Sequence, residues 1–327
     1  MITSILRRAP KAAGNTLISY PRLTRGLLRA SALTLGLLPS AAWACACGCG
    51  VFAVGTSSSF PTDAGAMAFV EYDFMNQNKN WHGNSSAPAD DNDDKRIRTS
   101  FYTAGFQYVL ADGWGFTAEL PYWNRFFKTT DDDTGDIVGF KHTAIGDVRI
   151  QASYSGFSDD RTTGITFGVK LPTGDFTYPN FDRDTSIGTG STDLLLGAYH
   201  VGNLTPDYSW NWFANAQIDQ PIASQDGYRP GGELDAVVGV SYNNWSVGDI
   251  KVAPVLEVIG SYRLHDSGIN SDRPDSGYER MLIAPGLEVD VSQFKVYANV
   301  ALPIYQHVTG EQLTAPVLVK LNVSYSF

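Results

Sequence analysis

The sequence predicts an all-β protein, a closed antiparallel up-and-down transmembrane β-barrel of twelve strands. Three observations carry that prediction. The chain ends in a two-faced stretch: Val317, Val319, Leu321, Val323, Tyr325 and Phe327 share one side, and Leu318, Lys320, Asn322, Ser324 and Ser326 the other. A strand sends successive side chains to opposite faces, so one side of this strand is greasy. Eleven earlier stretches repeat the pattern, joined by connections that alternate between tight and long. Past the N-terminal segment there is no run of about 20 apolar residues that could make a helical span. A soluble all-β domain is the competing reading. An edge strand this greasy would aggregate in water, whereas a bilayer demands a closed ladder with an apolar outer face.

The first strand is read over residues 66–74, with Ala66, Ala68, Val70, Tyr72 and Phe74 outward, and a polar stretch follows over 76–96. The second, 100–110, turns Tyr102, Ala104, Phe106 and Tyr108 outward. Ala111-Asp112-Gly113 has the composition of a tight turn. The third, 114–125, shows Phe116, Ala118, Leu120 and Tyr122. After a polar stretch over 128–142 come strand four (143–154), a turn, and strand five (163–171).

A long loop over 174–190 leads to strand six (192–201) and strand seven (208–221). Trp210, Trp212, Ala214, Ala216 and Ile218 face outward on strand seven, and Phe213 shares its inner side with polar residues. Strands eight to eleven are read over 233–243, 250–263, 278–290 and 294–305, and the terminal strand closes the set. About ten residues per strand suits a tilted crossing of the hydrocarbon layer. Tight turns belong on the periplasmic side and long loops outside. Tyr72, Tyr108, Tyr122, Trp210, Trp212, Tyr262, Tyr305 and Tyr325 fall near strand ends, as interfacial aromatics do.

Residues 1–44 read as an export signal, 45–64 as a Cys/Gly/Ser-rich N-terminal segment and 65–327 as the barrel. The signal has six basic residues, a short apolar stretch around 32–39, and small residues at Ala42 and Ala44. Cleavage after Ala44 leaves Cys45 first, which also permits a lipid anchor, although Ala42 stands where a lipoprotein signal usually has Leu. Val51, Phe52, Val54 and Phe60 give the N-terminal segment something to bury, so it reads as a plug folded up into the lumen, with a periplasmic tail as the alternative. Of 24 basic residues six lie in the signal, leaving 18 against 34 acidic ones. So acidic a surface argues against a nucleic-acid partner. The expected surroundings are outer-membrane lipid and lipopolysaccharide.

Charges on strands are placed inward, because a lipid-facing Arg or Lys costs about 2–4 kcal/mol at the midplane. The acidic candidates for the lumen are Glu71, Asp73, Glu119, Asp219, Asp235, Glu257, Glu288 and Asp290. The basic ones are Arg149, Lys170, Arg263, Arg280, Lys295 and Lys320. With the signs interspersed in a narrow bore, pairing is expected, leaving a polar and partly constricted conduit. At the closing seam Lys320 and Asn322 are expected to meet Glu71 and Asp73. Phe327 supplies the C-terminal aromatic that barrel-assembly machinery reads.

Three further groups have residues that could carry chemistry. Cys45, Cys47 and Cys49 are the three cysteines of the chain, and alternate spacing could bring their thiols to a soft metal such as copper or zinc. No histidine lies nearby to complete a zinc set, so no cofactor is expected and metal handling is the alternative function. His265 and Ser267 have the spacing seen in some outer-membrane hydrolases, but they sit in a Gly-, Asp- and Pro-rich loop, and spacing alone does not make a catalytic pair. The chain is therefore not read as an enzyme. Aspartates 90, 91, 93 and 94, and 131, 132, 133 and 136, fall in external loops and read as solvated charge, with divalent-cation binding as the alternative.

Several phrases together resemble a known family: Leu171-Pro-Thr-Gly-Asp175, Gly188-Thr-Gly-Ser-Thr-Asp193, Gly227-Tyr-Arg-Pro-Gly-Gly-Glu-Leu234, Asp266-Ser-Gly268 with Asp275-Ser-Gly277, Ala284-Pro-Gly-Leu287 and Leu302-Pro-Ile-Tyr-Gln306. The stretch from Gly139 to Phe327 resembles the outer-membrane "MetA-pathway of phenol degradation" family of transporters. The resemblance implies a barrel associated with aromatic-compound metabolism and carries over no binding residues. The expected function is passive uptake or diffusion of small aromatic or hydrophobic solutes through the bacterial outer membrane.

Overall fold

The computed structural model describes Phe52 and residues 60–157 and 159–327. The export signal and Cys45, Cys47 and Cys49 lie outside the described residues. The wall consists of β1 (Gly65–Gln77), β2 (Asp94–Val109), β3 (Trp114–Thr130), β4 in two pieces (Ile137–Ile145 and Arg149–Tyr154), β5 (Thr163–Lys170) and β6 (Ser191–Asn203). It continues with β7 (Trp210–Ser224), β8 (Glu233–Tyr242), β9 (Ile250–Arg263), β10 (Tyr278–Val291), β11 (Phe294–Thr314) and β12 (Leu318–Ser326). Each strand pairs antiparallel with its neighbours in sequence, and β1 pairs with β12 from Met67↔Ser326 to Met75↔Leu318. The ladder is thereby closed, as the alternation predicted.

The two faces follow the pleat. Val70 is 57% exposed while Asp73 on the opposite face is 3% exposed. Leu321 and Val323 face outward, with Leu318, Lys320, Asn322 and Ser324 buried between them in sequence. Aromatics ring the outside at Tyr102, Tyr108, Tyr122, Trp210, Tyr262 and Tyr305, all exposed. Exposed apolar rings and branched side chains on a closed ladder are what lipid favours.

The interior departs from the polar lumen read from the sequence. Met75, Phe213, Val237, Val255, Ile259, Leu282, Tyr297 and Leu318 are buried in one cluster inside the barrel. A twelve-stranded barrel is narrow enough for inward side chains to fill much of it. Three of the inward rings lie over a glycine of the paired strand: Phe69 over Gly105, Tyr199 over Gly164 and Phe213 over Gly239. A Cβ at any of these glycines would fall within 2.5 Å of the ring. The missing side chain gives the aromatic its place against the wall.

Three strand boundaries differ from the sequence reading. β4 begins at Ile137 and breaks at residues 146–148, where Asp147 leaves the ladder to hold a loop. β11 runs to Thr314 and pairs beyond the barrel with Lys79–Gly83, so part of the stretch read as polar loop is an external hairpin with Ser85–Ser86. β5 stops at Lys170, and the first piece of β4 pairs only with β3 among the described residues. Loop 171–190 covers that edge, with the Leu171 N–H bonded to the Val148 carbonyl and the Val148 N–H to Thr173 Oγ1. A bare strand edge would be costly in a membrane protein.

The outward placement of β12 has a direct test. Val323→Arg should destabilise the barrel by about 2–4 kcal/mol in lipid vesicles, measured by urea titration. Ser324→Arg, one residue on and facing the interior, should show none of that lipid-depth dependence.

Candidate functional site

Register brings four charges side by side around the inner wall. Glu119 of β3 pairs with Arg149 of β4, Arg149 with Lys170 of β5, and Lys170 with Asp193 of β6. Asp219 of β7 completes the group, lying 3.4 Å from Arg149 and 3.3 Å from Lys170. Lys170 and Asp193 form a close ion pair. Glu119 with Arg149 and Lys170 with Asp193 are opposite charges directly across antiparallel pairs, a favourable arrangement, and Asp219 bridges the like-charged neighbours Arg149 and Lys170.

The closing seam carries a second group. Lys320 of β12 stands opposite Asp73 of β1, and Asn322 opposite Glu71. The ammonium is 2.9 Å from Glu71 Oε1 and 3.8 Å from Asp73 Oδ1, and it donates to the carbonyl oxygen of Phe52 at 3.0 Å. Asn322 Nδ2 donates to Glu71 Oε2 at 3.2 Å. The ammonium thus donates to Glu71 and to the Phe52 carbonyl, while Asp73 is held by charge without a hydrogen bond to Oδ1. The seam expected from the sequence is present, and the charges pair mainly along the wall between neighbouring strands rather than across the bore.

Between the two groups lies a cavity of about 270 Å³. Charged and aromatic side chains share its lining: Phe69, Glu71 and Asp73 alternate along β1, Phe101 of β2 stands opposite Asp73, Glu119 and Trp123 both project from β3, and Phe52 lies against Lys320. Phe101 and Trp123 meet edge to face at 4.7 Å, and Phe52 lies 5.6 Å from Phe101. At the periplasmic end Phe60 stacks on Tyr199 at 5.0 Å, and Tyr199 Oη and Ser155 Oγ donate to the Pro61 carbonyl. Both described aromatics of the N-terminal segment are therefore inside the barrel.

External loops close over the other end. Arg125, at the top of β3, is buried; its Nε donates to Thr99 Oγ1 at 2.9 Å, and its Nη1 to the carbonyls of Thr185 and Ser186 at 2.6 and 3.0 Å. Asp147 accepts from the backbone N–H groups of Gly174 and Thr189 and from Thr189 Oγ1. Loop 174–190 is held at both roots and at its inner bend. Leu313, Ile97 and Phe127 pack together beneath Phe140 and Phe181. Outside the span, burial pushes the Asp182 carboxyl up to about 6, with further help from Asp132 and Asp93.

Of the lumen candidates, Glu71, Asp73, Glu119, Arg149, Lys170, Asp219, Arg263 and Lys320 border the cavity. Asp235, Glu257, Arg280, Glu288 and Lys295 do not. Glu257 is bonded to Tyr297 Oη and Asn299 Nδ2, both at 2.8 Å, Asp235 accepts from Ser261, and Lys295 pairs with Glu288 at 3.2 Å and lies 3.9 Å from Asp290. Asp193 and Arg125 escaped the sequence reading. The alternation that puts Leu195 and Tyr199 inside puts Asp193 there too, and Arg125 is in phase with Glu119.

The remaining sequence candidates are loop structure. Asp266 accepts from Arg263 Nη2 at 2.6 Å, Tyr228 Oη at 2.8 Å and the Gly231 N–H at 2.7 Å. Ser267 exchanges two backbone bonds with Arg229, so the His265–Ser267 segment pins one loop to another. In the acidic run after β3, Asp131 Oδ1 accepts from the N–H groups of Asp133 and Thr134 and from Thr134 Oγ1. These bonds hold its carboxyl below the usual range and make it a turn residue. Among the described residues no group of three or more His, Cys, Asp or Glu side chains is arranged to hold a metal.

Closure of the ladder, the apolar outer band and the inward charges are now all in place. The chain is an integral outer-membrane β-barrel. No family model matches the sequence, and no curated protein matches it either. Among solved structures, the barrel superposes on the COG4313 outer membrane channel from Pseudomonas putida F1 with a TM-score of 0.63 and 12% identity, covering 84% of this chain and 100% of that one. A Pseudomonas aeruginosa FadL homologue matches with a TM-score of 0.44 and 9% identity over 84% of this chain and 96% of the other. The Pseudomonas putida toluene transporter TodX matches with a TM-score of 0.39 and 11% identity over 88% and 95%. The first likeness establishes the shared fold; the other two are too loose to bear on it.

Two outcomes follow from this geometry. Lys320→Met removes the cation that holds Glu71 and Asp73 and should destabilise the barrel by about 3–5 kcal/mol in urea titration. A carboxyl whose folded value is raised favours the folded state at low pH, and that advantage is lost as pH rises from its ordinary range through the folded value. For Asp182 the window runs from the ordinary 3.8 to about 6. Intrinsic-rate-corrected hydrogen exchange at the Ile187 N–H, which donates to Tyr178 Oη, should therefore be slower at pH 4.5 than at pH 7, and Asp182→Asn should remove the difference.

Proposed function

We propose that the barrel is a narrow channel for passive diffusion of small solutes, with aromatic or hydrophobic bodies, across the outer membrane. The observation that carries this reading is the cavity left in an otherwise well-filled interior, with Phe52, Phe69, Phe101 and Trp123 in its lining. A barrel serving only as an anchor would gain by packing that space too. The rings offer a planar solute stacking and edge contacts, while the charged side chains keep the route wetted. The phrase-level likeness to the MetA-pathway family points to the same solute class. The shared fold with a COG4313 channel supports a conducting role.

The N-terminal segment is read as the plug of this channel. Phe52 sits beside Lys320, and Phe60 stacks on Tyr199 near the periplasmic end, so both aromatic side chains occupy the bore. The loop held by Arg125 narrows the external side. Phe327, exposed beyond β12, is left for the assembly machinery to read.

In planar bilayers the purified protein should show small unitary currents, and Phe52→Ala combined with Phe60→Ala should raise them. A deletion strain should take up small aromatic compounds more slowly than its parent. A barrel with no conductance in either form, and no uptake defect on deletion, would refute the channel.

A further inference from the structure

The charged lining of the cavity is unbalanced. Glu71, Asp73, Glu119, Asp193 and Asp219 face it against Lys320, Lys170 and Arg149. Both lysines are shared between two carboxylates, Lys320 by Glu71 and Asp73, and Lys170 by Asp193 and Asp219. Arg263 and Glu233 also border the cavity but are engaged by Asp266 and by Tyr278 Oη, and Asp147 is engaged by the loop roots.

The hydrogen-bond inventory points the same way. Oδ1 of Asp73, of Asp193 and of Asp219 are buried and accept no hydrogen bond. All three side chains border the cavity, and their side-chain exposures are only 4%, 1% and 14%. No buried nitrogen bordering the cavity is left in that condition among the described residues. What the lining lacks is N–H donors and positive charge. An anion would meet like charge and find its possible partners already taken.

The aromatic part of the lining, interleaved with these charges, suits the same occupant. The faces and edges of Phe52, Phe101 and Trp123 surround the space, and an aromatic face attracts a cation within about 6 Å. The Lys320 ammonium already lies 5.9 Å from the centre of the Phe52 ring. An ammonium group against the carboxylates, with its apolar body against the neighbouring rings, would use both kinds of lining at once.

We infer that the cavity is a cation-selective binding site, taking organic ammonium ions with an aromatic or aliphatic body in preference to carboxylates of the same size. This rests on the channel reading above and adds a charge preference that the reading alone does not contain. Rings of acidic side chains select cations in other pores by the same electrostatics.

The test uses the intact protein in planar bilayers under a tenfold KCl gradient. The reversal potential should fall on the potassium side, with potassium at least about threefold more permeant than chloride. Glu119→Gln should move the ratio towards one, because it removes one carboxylate from the cavity while keeping the size of the side chain opposite Arg149. Millimolar benzylammonium should reduce the potassium current, and benzoate at the same concentration should not. A conducting protein with a reversal potential at zero or on the chloride side, or with equal block by benzoate, would overturn the cation site and leave the channel standing. Absence of any current in the wild-type protein would remove both. The wild-type reversal potential decides the matter even if the Glu119 variant fails to assemble.

Discussion

The structure depends on one constraint: in hydrocarbon every backbone N–H and C=O must find its partner within the wall. Eleven of the twelve strand pairings join sequence neighbours and can form as hairpins. The twelfth, β1 with β12, joins the two ends of the barrel, and until it forms two strand edges stay open to lipid. That pairing is where Lys320, Glu71 and Asp73 lie. The same ion-pair group therefore helps align the seam and forms part of the cavity lining. A buried ion pair adds little net stability over an apolar replacement, but a broken one is costly, so it discriminates between right and wrong alignments. A slip of one residue would turn Lys320 towards lipid.

Width then decides what the interior can be. Twelve strands enclose too little space for a broad aqueous pore and too much for wall side chains alone to fill evenly. The chain meets this by dividing the bore. The side formed by β7 to β12 is packed with Phe213, Val237, Leu282 and Tyr297. The open volume lies mainly against β1 to β6, with Asp219 of β7 and Lys320 of β12 completing its charges and Phe52 and Phe60 inserted beside them. A half-filled barrel holds its shape while leaving a path narrow enough to discriminate by charge.

Much of this was legible in the sequence, because the strand period and the cost of a charge in lipid are local rules. Alternation alone located the twelve strands, and the same rule put Glu71, Asp73 and Lys320 inside. Asp193 and Arg125 follow the rule as well but lie near strand ends, where the phase is easily lost. The buried apolar residues of the interior could not be read in that way. A Leu at an inward position, such as Leu282, looks like an error in phase unless the curvature of the wall is known. The break in β4 was hidden for a related reason. Asp147 sits in an alternating run, and its duty to Gly174 and Thr189 becomes visible only when the loop is folded. The repeated Gly and Asp phrases were recognisable as a family likeness before their work as loop anchors was apparent.

The roots of loop 174–190 have a consequence of their own. Gly174 and Gly188 touch backbone to backbone, and a Cβ on Gly188 would lie 2.5 Å from the Gly174 carbonyl atoms. Main chain meets main chain there, and the Asp147 carboxylate clasps both roots. Nothing in that join depends on which side chains occupy the tip, where Phe176, Tyr178 and Phe181 now stand. Phe181 and Tyr178 tie the tip back to Phe127 of β3 and His142 of β4. The mouth is thereby fixed at its roots by backbone and at its tip by rings, and only the outward residues between them are at liberty to set what a solute meets first.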